Sequence, residues 1–267
     1  MTAAVETTTI GVAAHGEDVS KRSGPVNKKR GICYNTTATL DIMTAIYGSG
    51  QVTFAQNWAQ TPGSLPSGMT WYPELWGTKP GMQASWNGSI QSTGADILFG
   101  PNEPEPVNCG VGSCLTPDEA KTVWLQSMAP FHTENKTLVA PAVSNGDPTF
   151  NGPGPDWLAS FLAECPDDTC YIDDIALHWY GPVDQIAQFK QYFTAAYSKY
   201  NKNIWITEFG FTPLDAGGDT AAINTFFTQV LPWLDQQSWI SGYAFFWAGA
   251  LVDGTTLNAL GQAYVSA

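Results

Sequence analysis

The chain has 267 residues, of which 43% are hydrophobic, so it can fill the core of one barrel-sized domain or of two smaller ones. Acidic residues outnumber basic ones by 24 to 11, which argues against nucleic acid or an anionic membrane as a partner. No apolar run approaches the roughly 18 residues of a membrane-spanning helix. We therefore expect a protein that acts on an uncharged ligand, and we take a monomer as the default because the sequence does not indicate an oligomeric state.

Residues 1–26 are polar and lack the apolar central region of a signal peptide. We expect this segment to be a disordered tag or a leftover pro-segment. Residues 27–267 would then form the folded catalytic domain, since no linker or shift in composition divides them.

Short apolar segments alternate with helical patterns along the whole of this domain. The predicted strands are 30–35, 51–56, 69–72, 96–100, 137–141, 174–179, 203–209 and 242–247. The predicted helices are 37–46, 82–91, 117–132, 155–164, 183–200, 219–236 and 257–265. Eight strand–helix units predict a protein of the α/β class, folded as a single (β/α)8 TIM barrel. The alternative, a doubly wound open sheet, would need a glycine-rich phosphate loop that the sequence lacks.

Two glutamates stand where predicted strands end. Glu103 follows the fourth strand within NEPE, and Glu208 closes the seventh strand within ITEFG. In a (β/α)8 barrel, the loops after the C-terminal strand ends build the active site. Glu103 alone could cap the next helix, but a carboxylate at the end of an apolar strand, such as Glu208, is costly without a partner or a role. Together the two glutamates predict a catalytic pair.

Aromatic and polar side chains follow most of the other strands at the same rim. Two carboxylates facing an aromatic cleft suit glycoside hydrolysis: one group donates a proton, and the other attacks the anomeric carbon or activates water. Aromatic faces stack on sugar rings, and neutral polar groups bind the hydroxyls. The candidate sugar-binding residues are Tyr34, Asn57, Trp58, Trp71, Tyr72, Trp76, Asn102, His178, Trp179, Tyr180 and Trp247.

The five cysteines are informative by their positions. Cys109 and Cys114 bracket GVGS, and Cys165 and Cys170 bracket PDDT, so each pair spans a short loop with turn residues. We predict the disulfides Cys109–Cys114 and Cys165–Cys170, and hence a secreted, extracellular protein of the cell wall. Cys33 lies inside the first strand and is predicted to be a buried free thiol. No histidine lies at ligand spacing from these cysteines, so we expect no metal and no cofactor.

Six segments together resemble one enzyme family. The segments RGICYN, LFGPNEPE, VAPAVSNG, DDIALHWYG, IWITEFGF and GYAFFWA are similar to the catalytic core of glycoside hydrolase family 128, from about residue 30 to the C-terminus. The resemblance implies a small (β/α)8 barrel that acts on β-1,3-glucan. It also implies a retaining mechanism that uses glutamates on strands four and seven.

The resemblance implies catalytic and binding roles for individual residues. Glu103 would be the general acid/base, and Glu208 would be the nucleophile that forms a covalent glycosyl-enzyme intermediate. Asn102 would bind the sugar 2-hydroxyl, and Trp247 would lie beneath the reacting sugar.

The paired glutamate motifs also resemble the wider clan of retaining (β/α)8 glycosidases with catalytic glutamates on strands four and seven. That clan often has an arginine on strand two, where this chain reads FAQNW. Polar support for the nucleophile Glu208 would then come from Asn57 or Tyr34, and either Tyr180 or His178 would hold it in place. Which of these residues does so stays open at the level of sequence.

Other functions remain to be weighed against the glucanase prediction. One is a catalytically idle β-glucan-binding protein, although binding a neutral glycan needs no carboxylate pair. Another is a retaining β-1,4-glucanase or mannanase on the same barrel. A metal-dependent hydrolase is disfavoured because His15, His132 and His178 are scattered along the chain. We predict endo action, which depends on whether segment 60–81 or 106–116 closes one end of the groove.

Overall fold

The computed structural model describes residues 29–79 and 81–267. The predicted tag at 1–26 and His15 lie outside the described residues. None of the helices in the described part of the chain is long and apolar enough to cross a membrane.

The observed elements follow the predicted alternation of strands and helices. The strands are β1 Arg30–Cys33, β2 Phe54–Gln56, β3 Thr70–Trp71, β4 Ile97–Phe99, β5 Thr137–Val139, β6 Ile175–Gly181, β7 Ile204–Phe211, β8 Ile240–Phe245, β9 Val252–Asp253 and β10 Thr256–Leu257. The helices are α1 Leu40–Tyr47, α2 Met82–Thr93, α3 Pro117–Ser127, α4 Pro153–Glu164, α5 Asp167–Cys170, α6 Ile186–Tyr200, α7 Thr220–Gln236 and α8 Ala259–Ser266. Each of the eight predicted strands and seven predicted helices has an observed counterpart.

The differences from the predicted elements have local causes. The helix predicted over 117–132 ends as α3 at Ser127 and continues as a 3-10 turn over Ala129–Glu134, where Pro130 has no N–H to continue the α-helical pattern. The short helix α5 and the antiparallel hairpin of β9 and β10 were not predicted. They are too short to show a periodic pattern in the sequence.

Strands β1 to β8 are parallel and form the barrel wall. Continuous pairing runs in the order β3-β2-β1-β8-β7-β6, and β4 pairs with β5. Isolated bridges span the two interruptions: Glu74 with Phe99 joins the β3 and β4 sides, and Val139 with Asp174 joins the β5 and β6 sides. The predicted (β/α)8 fold class is confirmed, with regular strand ladders interrupted at β3–β4 and β5–β6.

Local sequence signals place the helix starts. The Thr116 hydroxyl accepts from the Glu119 N–H, and the Glu119 carboxylate accepts from the Thr116 N–H in return, which is a complete capping box before α3. Asp219 caps α7 and Asn258 caps α8 in the same way, each by accepting a backbone N–H of the first turn. These caps satisfy N–H groups that would otherwise lack partners, and they fix where the chain leaves each loop.

Four aromatic rings fill the barrel interior. Phe54, Tyr72, Phe99 and Trp205 pack edge-on or tilted, with ring centroids 5.3 to 6.0 Å apart. A Cβ at Gly31 would overlap the Phe54 ring, so glycine there makes room for it. With the interior filled by side chains, ligands can approach only at the ends of the barrel.

Both predicted disulfides are confirmed. Cys109 and Cys114 are joined with their Cα atoms 4.7 Å apart, and Cys165 and Cys170 are joined with theirs 5.5 Å apart. Cys33 is a buried free thiol, as predicted, and its Sγ donates to the Thr207 carbonyl.

Candidate active site

Glu208 lies within strand β7 and is held on both carboxylate oxygens. The indole N–H of Trp58 donates to Oε1 at 2.6 Å, and the hydroxyl of Tyr180, on neighbouring strand β6, donates to Oε2. The side chain is only 7% exposed. Donors from two different elements therefore fix the orientation of this carboxylate.

A buried glutamine positions one of those donors. The Gln56 amide, at the end of β2, accepts from the Trp58 N–H at 3.1 Å and donates to the Thr207 carbonyl at 3.1 Å. Trp58 has a φ of +56°, a left-handed conformation that a tryptophan rarely adopts. Gln56 thus holds the turn that carries the Trp58 ring to Glu208. Support for Glu208 on this side comes from Trp58, not from Asn57 or Tyr34 as the sequence suggested.

Glu103 follows β4 in a strained backbone conformation. Its φ is +37°, and its N–H donates to the Ala142 carbonyl at 2.7 Å. The side chain is 16% exposed, and its Oε1 lies 2.9 Å from Nδ1 of His178. Next to it, the buried Asn102 has an amide oxygen with no hydrogen-bond partner among the described residues. Glu103 is therefore the more accessible carboxylate and has fewer donors than Glu208.

His178 lies between the two glutamates and is fully buried. Its Nδ1 faces Glu103, while its Nε2 lies 3.0 Å from the Thr207 hydroxyl and 3.6 Å from Glu208 Oε1. Burial lowers the pKa of His178, but the Glu208 and Glu103 charges outweigh it and raise that pKa to about 9. At neutral pH the ring is therefore a cation that donates from both nitrogens.

The pKa values of the two glutamates move in opposite directions. Burial raises the pKa of Glu103, but the hydrogen bond and charge of His178 outweigh it and hold that pKa below its usual value. Burial raises the pKa of Glu208, and the charge of Glu103 adds to the rise, while His178, Tyr180 and Trp58 oppose it without cancelling it. His178 thus lowers the pKa of both glutamates against the effect of burial, and it outweighs burial only at Glu103.

A third glutamate, not singled out from the sequence, lies close to the pair. Glu74 stands just beyond β3 and is 1% exposed, with Oε1 lacking a hydrogen-bond partner among the described residues. Burial raises its pKa well above the usual value, and the charges of Glu208 and Glu103 add to that rise. The charge of His178 opposes the rise without cancelling it, so the folded protein favours the protonated form of Glu74 more than the unfolded chain does. Its position at a strand end, in YPELW, was the signal available in the sequence.

The two catalytic candidates open into one aromatic cleft of about 510 Å³. The lining residues are Asn35, Trp58, Trp76, Asn102, Glu103, Val111, Tyr180, Glu208, Phe246 and Trp247. Seven of these were candidates from the sequence. Asn35 and Phe246 were not named as sugar-binding candidates, although they lie in predicted strands beside the candidates Tyr34 and Trp247. Val111 was not named either, because nothing in the pattern distinguishes it from an ordinary loop residue.

The other predicted sugar-binding residues lie outside the cleft. His178 lies beneath it, Tyr34 donates its hydroxyl to the Pro62 carbonyl, and Trp71 donates its indole N–H to Asn57 Oδ1 at 2.9 Å. Tyr72 packs inside the barrel, and Trp179 packs outward against helices α6 and α7. Trp179 faces outward because side chains alternate along a strand. Its neighbours His178 and Tyr180 point to the barrel axis, so the Trp179 side chain points to the helices.

Glu103, His178 and Glu208 could together hold a metal ion, since one donor atom from each lies within 4.8 Å of the others. Sequence spacing did not reveal this cluster, because the residues lie on three different barrel units. A bound cation would compete with the imidazole for both carboxylates. Within this cluster, one carboxylate oxygen of Glu103 lies within 4.8 Å of one carboxylate oxygen of Glu208.

Comparison with known proteins places this cleft in a family. The family of glycosyl hydrolase catalytic cores matches residues 31–264. The chain is similar, at 33% identity, to a curdlan-specific exo-β-1,3-glucanase of glycoside hydrolase family 128, subgroup III, from Blastomyces gilchristii. That match covers 90% of this chain and 98% of the other, with a TM-score of 0.77. The chain belongs to glycoside hydrolase family 128.

Two further relatives show the breadth of the similarity. The family 128 endo-β-1,3-glucanase of subgroup II from Sorangium cellulosum is 29% identical, with 89% of this chain and 98% of that chain covered and a TM-score of 0.69. Alkali-sensitive linkage protein 1 of Schizosaccharomyces pombe is 28% identical over 225 residues, which is 83% of this chain. The matched region spans 39% of the length of that curated relative.

Proposed function

We propose that this family 128 protein hydrolyses β-1,3-glucan by a retaining double displacement. The observation that carries the proposal is the proximity of Glu103 and Glu208: one carboxylate oxygen of Glu103 lies within 4.8 Å of one of Glu208, and both residues line the same aromatic cleft. Retaining glycosidases have their two carboxyl groups about 5 to 5.5 Å apart, whereas inverting ones leave about 6.5 to 9.5 Å for a water molecule. The substrate class rests on the related enzymes from Blastomyces and Sorangium, both β-1,3-glucanases.

Glu208 is the nucleophile in this proposal. Its two oxygens accept from Trp58 and Tyr180, and such donors favour the ionised form over the protonated one. The carboxylate attacks the anomeric carbon, the bond to the leaving glycosyl oxygen breaks, and a covalent glycosyl-enzyme forms. Asn102 lines the cleft next to Glu103, and in this proposal its side chain binds the sugar 2-hydroxyl.

Glu103 is the general acid/base. In the free site its pKa is lowered by His178, which is the reverse of what a proton donor requires. A bound neutral sugar removes water from the cleft, and this desolvation raises the pKa of Glu103 more than that of Glu208, whose side chain is already drier. Protonated Glu103 donates to the leaving oxygen; once deprotonated, it accepts a proton from the water that hydrolyses the intermediate.

The test is a product profile on purified protein. Laminarin, curdlan, barley mixed-linkage glucan, carboxymethylcellulose and mannan are each incubated with it at mildly acidic pH. Release of sugars from the β-1,3 polymers alone supports the proposal. Release from a β-1,4 polymer would keep the two glutamates but discard the substrate, and binding without release from any polymer would leave the idle-binder alternative standing.

Endo action, our prediction from the sequence, is decided by the same profile. A ladder of short oligosaccharides early in the reaction supports endo cleavage. Glucose as the sole early product would instead match the exo action of the Blastomyces enzyme.

We further propose that the protein works outside the cell, at a cell wall. The support is chemical: two disulfides close short loops in the described chain, and such bonds persist in oxidising compartments.

A further inference from the structure

The loop closed by Cys109–Cys114 lies directly on the segment that carries Glu103. The Ser113 N–H donates to the Asn102 carbonyl at 2.8 Å, and the Leu115 N–H donates to the Pro104 carbonyl at 2.9 Å. A Cβ at Gly112 would overlap the Glu103 carbonyl oxygen, so the two backbones are in contact there. This loop and the Glu103 segment are therefore held as one unit.

Two exposed valines lie in or next to this loop. Val111 is 73% exposed and Val107 is 66% exposed, the largest values among the big hydrophobic residues in the described part of the chain. Only Val111 lines the cleft, together with Trp76 and Asn102. An aliphatic side chain left this open at the wall of a ligand cleft has apolar surface that a bound ligand can cover.

The loop backbone fixes where Val111 stands. The N–H groups of Val111 and Gly112 both donate to the Asn108 carbonyl, at 3.0 and 2.8 Å. The disulfide then joins Cys109 to Cys114 across this turn. The Val111 side chain is thus presented by a short, cross-linked turn whose position relative to Glu103 is set by backbone contacts.

We propose that Val111 is a substrate-contacting residue, which packs on the apolar face of a glucose unit and is held in a fixed position relative to Glu103 by the Cys109–Cys114 loop. This proposal rests on the proposed function. The ligand it requires is a neutral glycan whose C–H face can cover an aliphatic side chain.

The test compares Val111→Ser with Val107→Ser. Both substitutions remove an exposed valine from the segment 106–116, but only the first alters the cleft wall. We expect Val111→Ser to raise the KM for laminari-oligosaccharides by about three- to tenfold with kcat within about twofold, the effect of losing one partly buried aliphatic contact. Val107→Ser should leave both constants unchanged. Thermal unfolding of both variants checks that the fold is intact.

A second pair of variants tests the role of the loop. Cys109→Ser with Cys114→Ser should raise KM and also lower kcat, because both Val111 and the Glu103 segment lose their fixed position. Cys165→Ser with Cys170→Ser removes a disulfide of the same sequence separation away from the cleft, and it should leave KM unchanged.

The outcomes separate the inference from the proposed function. If the wild-type protein hydrolyses β-1,3-glucan and Val111→Ser has the same KM as Val107→Ser, the inference is overturned and the function stands. If the wild-type protein neither binds nor hydrolyses any β-1,3-glucan, the function is overturned, and the inference with it.

Discussion

The two halves of the barrel hold their glutamates by different means. Glu208 lies in the six-stranded sheet, where β6 has seven residues and β7 has eight, and the two strands pair along their length with one register shift beside His178 and Glu208. Glu103 follows β4, a strand of three residues that pairs continuously only with β5, also of three residues. Both disulfides lie in this second half, after β4 and after α4. Covalent cross-links thus occur where the regular strand ladder is shortest.

This difference matches the chemistry proposed for each residue. A nucleophile must stay in one orientation and stay charged, and Glu208 is fixed within a strand by Trp58 and Tyr180. An acid/base must gain and lose a proton. Glu103 is more exposed, and among the described residues His178 is its one side-chain hydrogen-bond partner. The six-stranded sheet, with its longer strands, therefore suits the attacking group Glu208. The part of the barrel around β4 and β5, with its shorter strands, suits Glu103, the group that exchanges protons.

The largest effect should come from Glu208→Gln. An amide cannot attack the anomeric carbon, so we expect kcat to fall by roughly 10⁴-fold or more. Binding of laminari-oligosaccharides, measured by calorimetry, should persist because the cleft wall is unchanged. Full activity in this variant would remove Glu208 from the nucleophile role.

Glu103→Gln should have a smaller effect that depends on the leaving group. Loss of general acid/base catalysis costs about 10²- to 10⁴-fold, and aryl glycosides with good leaving groups should be affected least in the first step. Added azide should restore turnover and yield the β-glycosyl azide, since it attacks the same face as the catalytic water. An α-glycosyl azide would contradict the retaining mechanism.

Tyr180→Phe should act through the charge of Glu208. It removes a donor to the ionised carboxylate, which raises the pKa of Glu208 further. Because the nucleophile must be ionised, the acidic limb of the kcat/KM profile should move to higher pH, with about a tenfold loss of kcat/KM on the acidic side. Tyr197→Phe, on α6 and stacked on Trp239, is the matched control. An unshifted limb in Tyr180→Phe would show that this hydroxyl does not control the ionisation of Glu208.

Glu74→Gln should have the smallest effect, on stability alone. The pKa of Glu74 is higher in the folded protein than in the unfolded chain, so the folded protein binds the proton of the Glu74 carboxyl group more tightly. The contribution of Glu74 to stability is therefore largest below the usual glutamate pKa. It falls as pH rises towards the folded pKa, by at most about 1.4 kcal/mol per pH unit.

Urea unfolding at pH 5, 6.5 and 8 measures this directly. The stability of Glu74→Gln relative to wild type should increase with pH, because glutamine has no proton to lose. Glu164→Gln, at the exposed end of α4, controls for the substitution itself. A difference between Glu74→Gln and wild type that stays constant with pH would mean that Glu74 is not protonated in the folded protein.

Much of the site could be predicted because barrel strands present their C-terminal ends at one rim. That rule placed Glu103, Glu208, Asn102, Trp58 and Tyr180 at the same cleft, and applied to YPELW it would also have found Glu74. The strand-end rule failed where the prediction depended on whether a side chain points to the barrel axis or to the helices. Side chains alternate along a strand, so of two neighbouring aromatics only one faces the axis, and a strand of two or three residues shows no period from which to choose.

The sequence by itself determined the local features of this protein: the order of strands and helices, the helix caps and the two disulfides, all of which depend on residues close together in the chain. Only the tertiary structure decided that His178, 75 residues from Glu103, would lie between the two glutamates. The charge on each of these groups depends on burial and on the neighbours that barrel closure supplies. Local pattern cannot encode those distances, and so the proton distribution of the site had to be read from the folded chain.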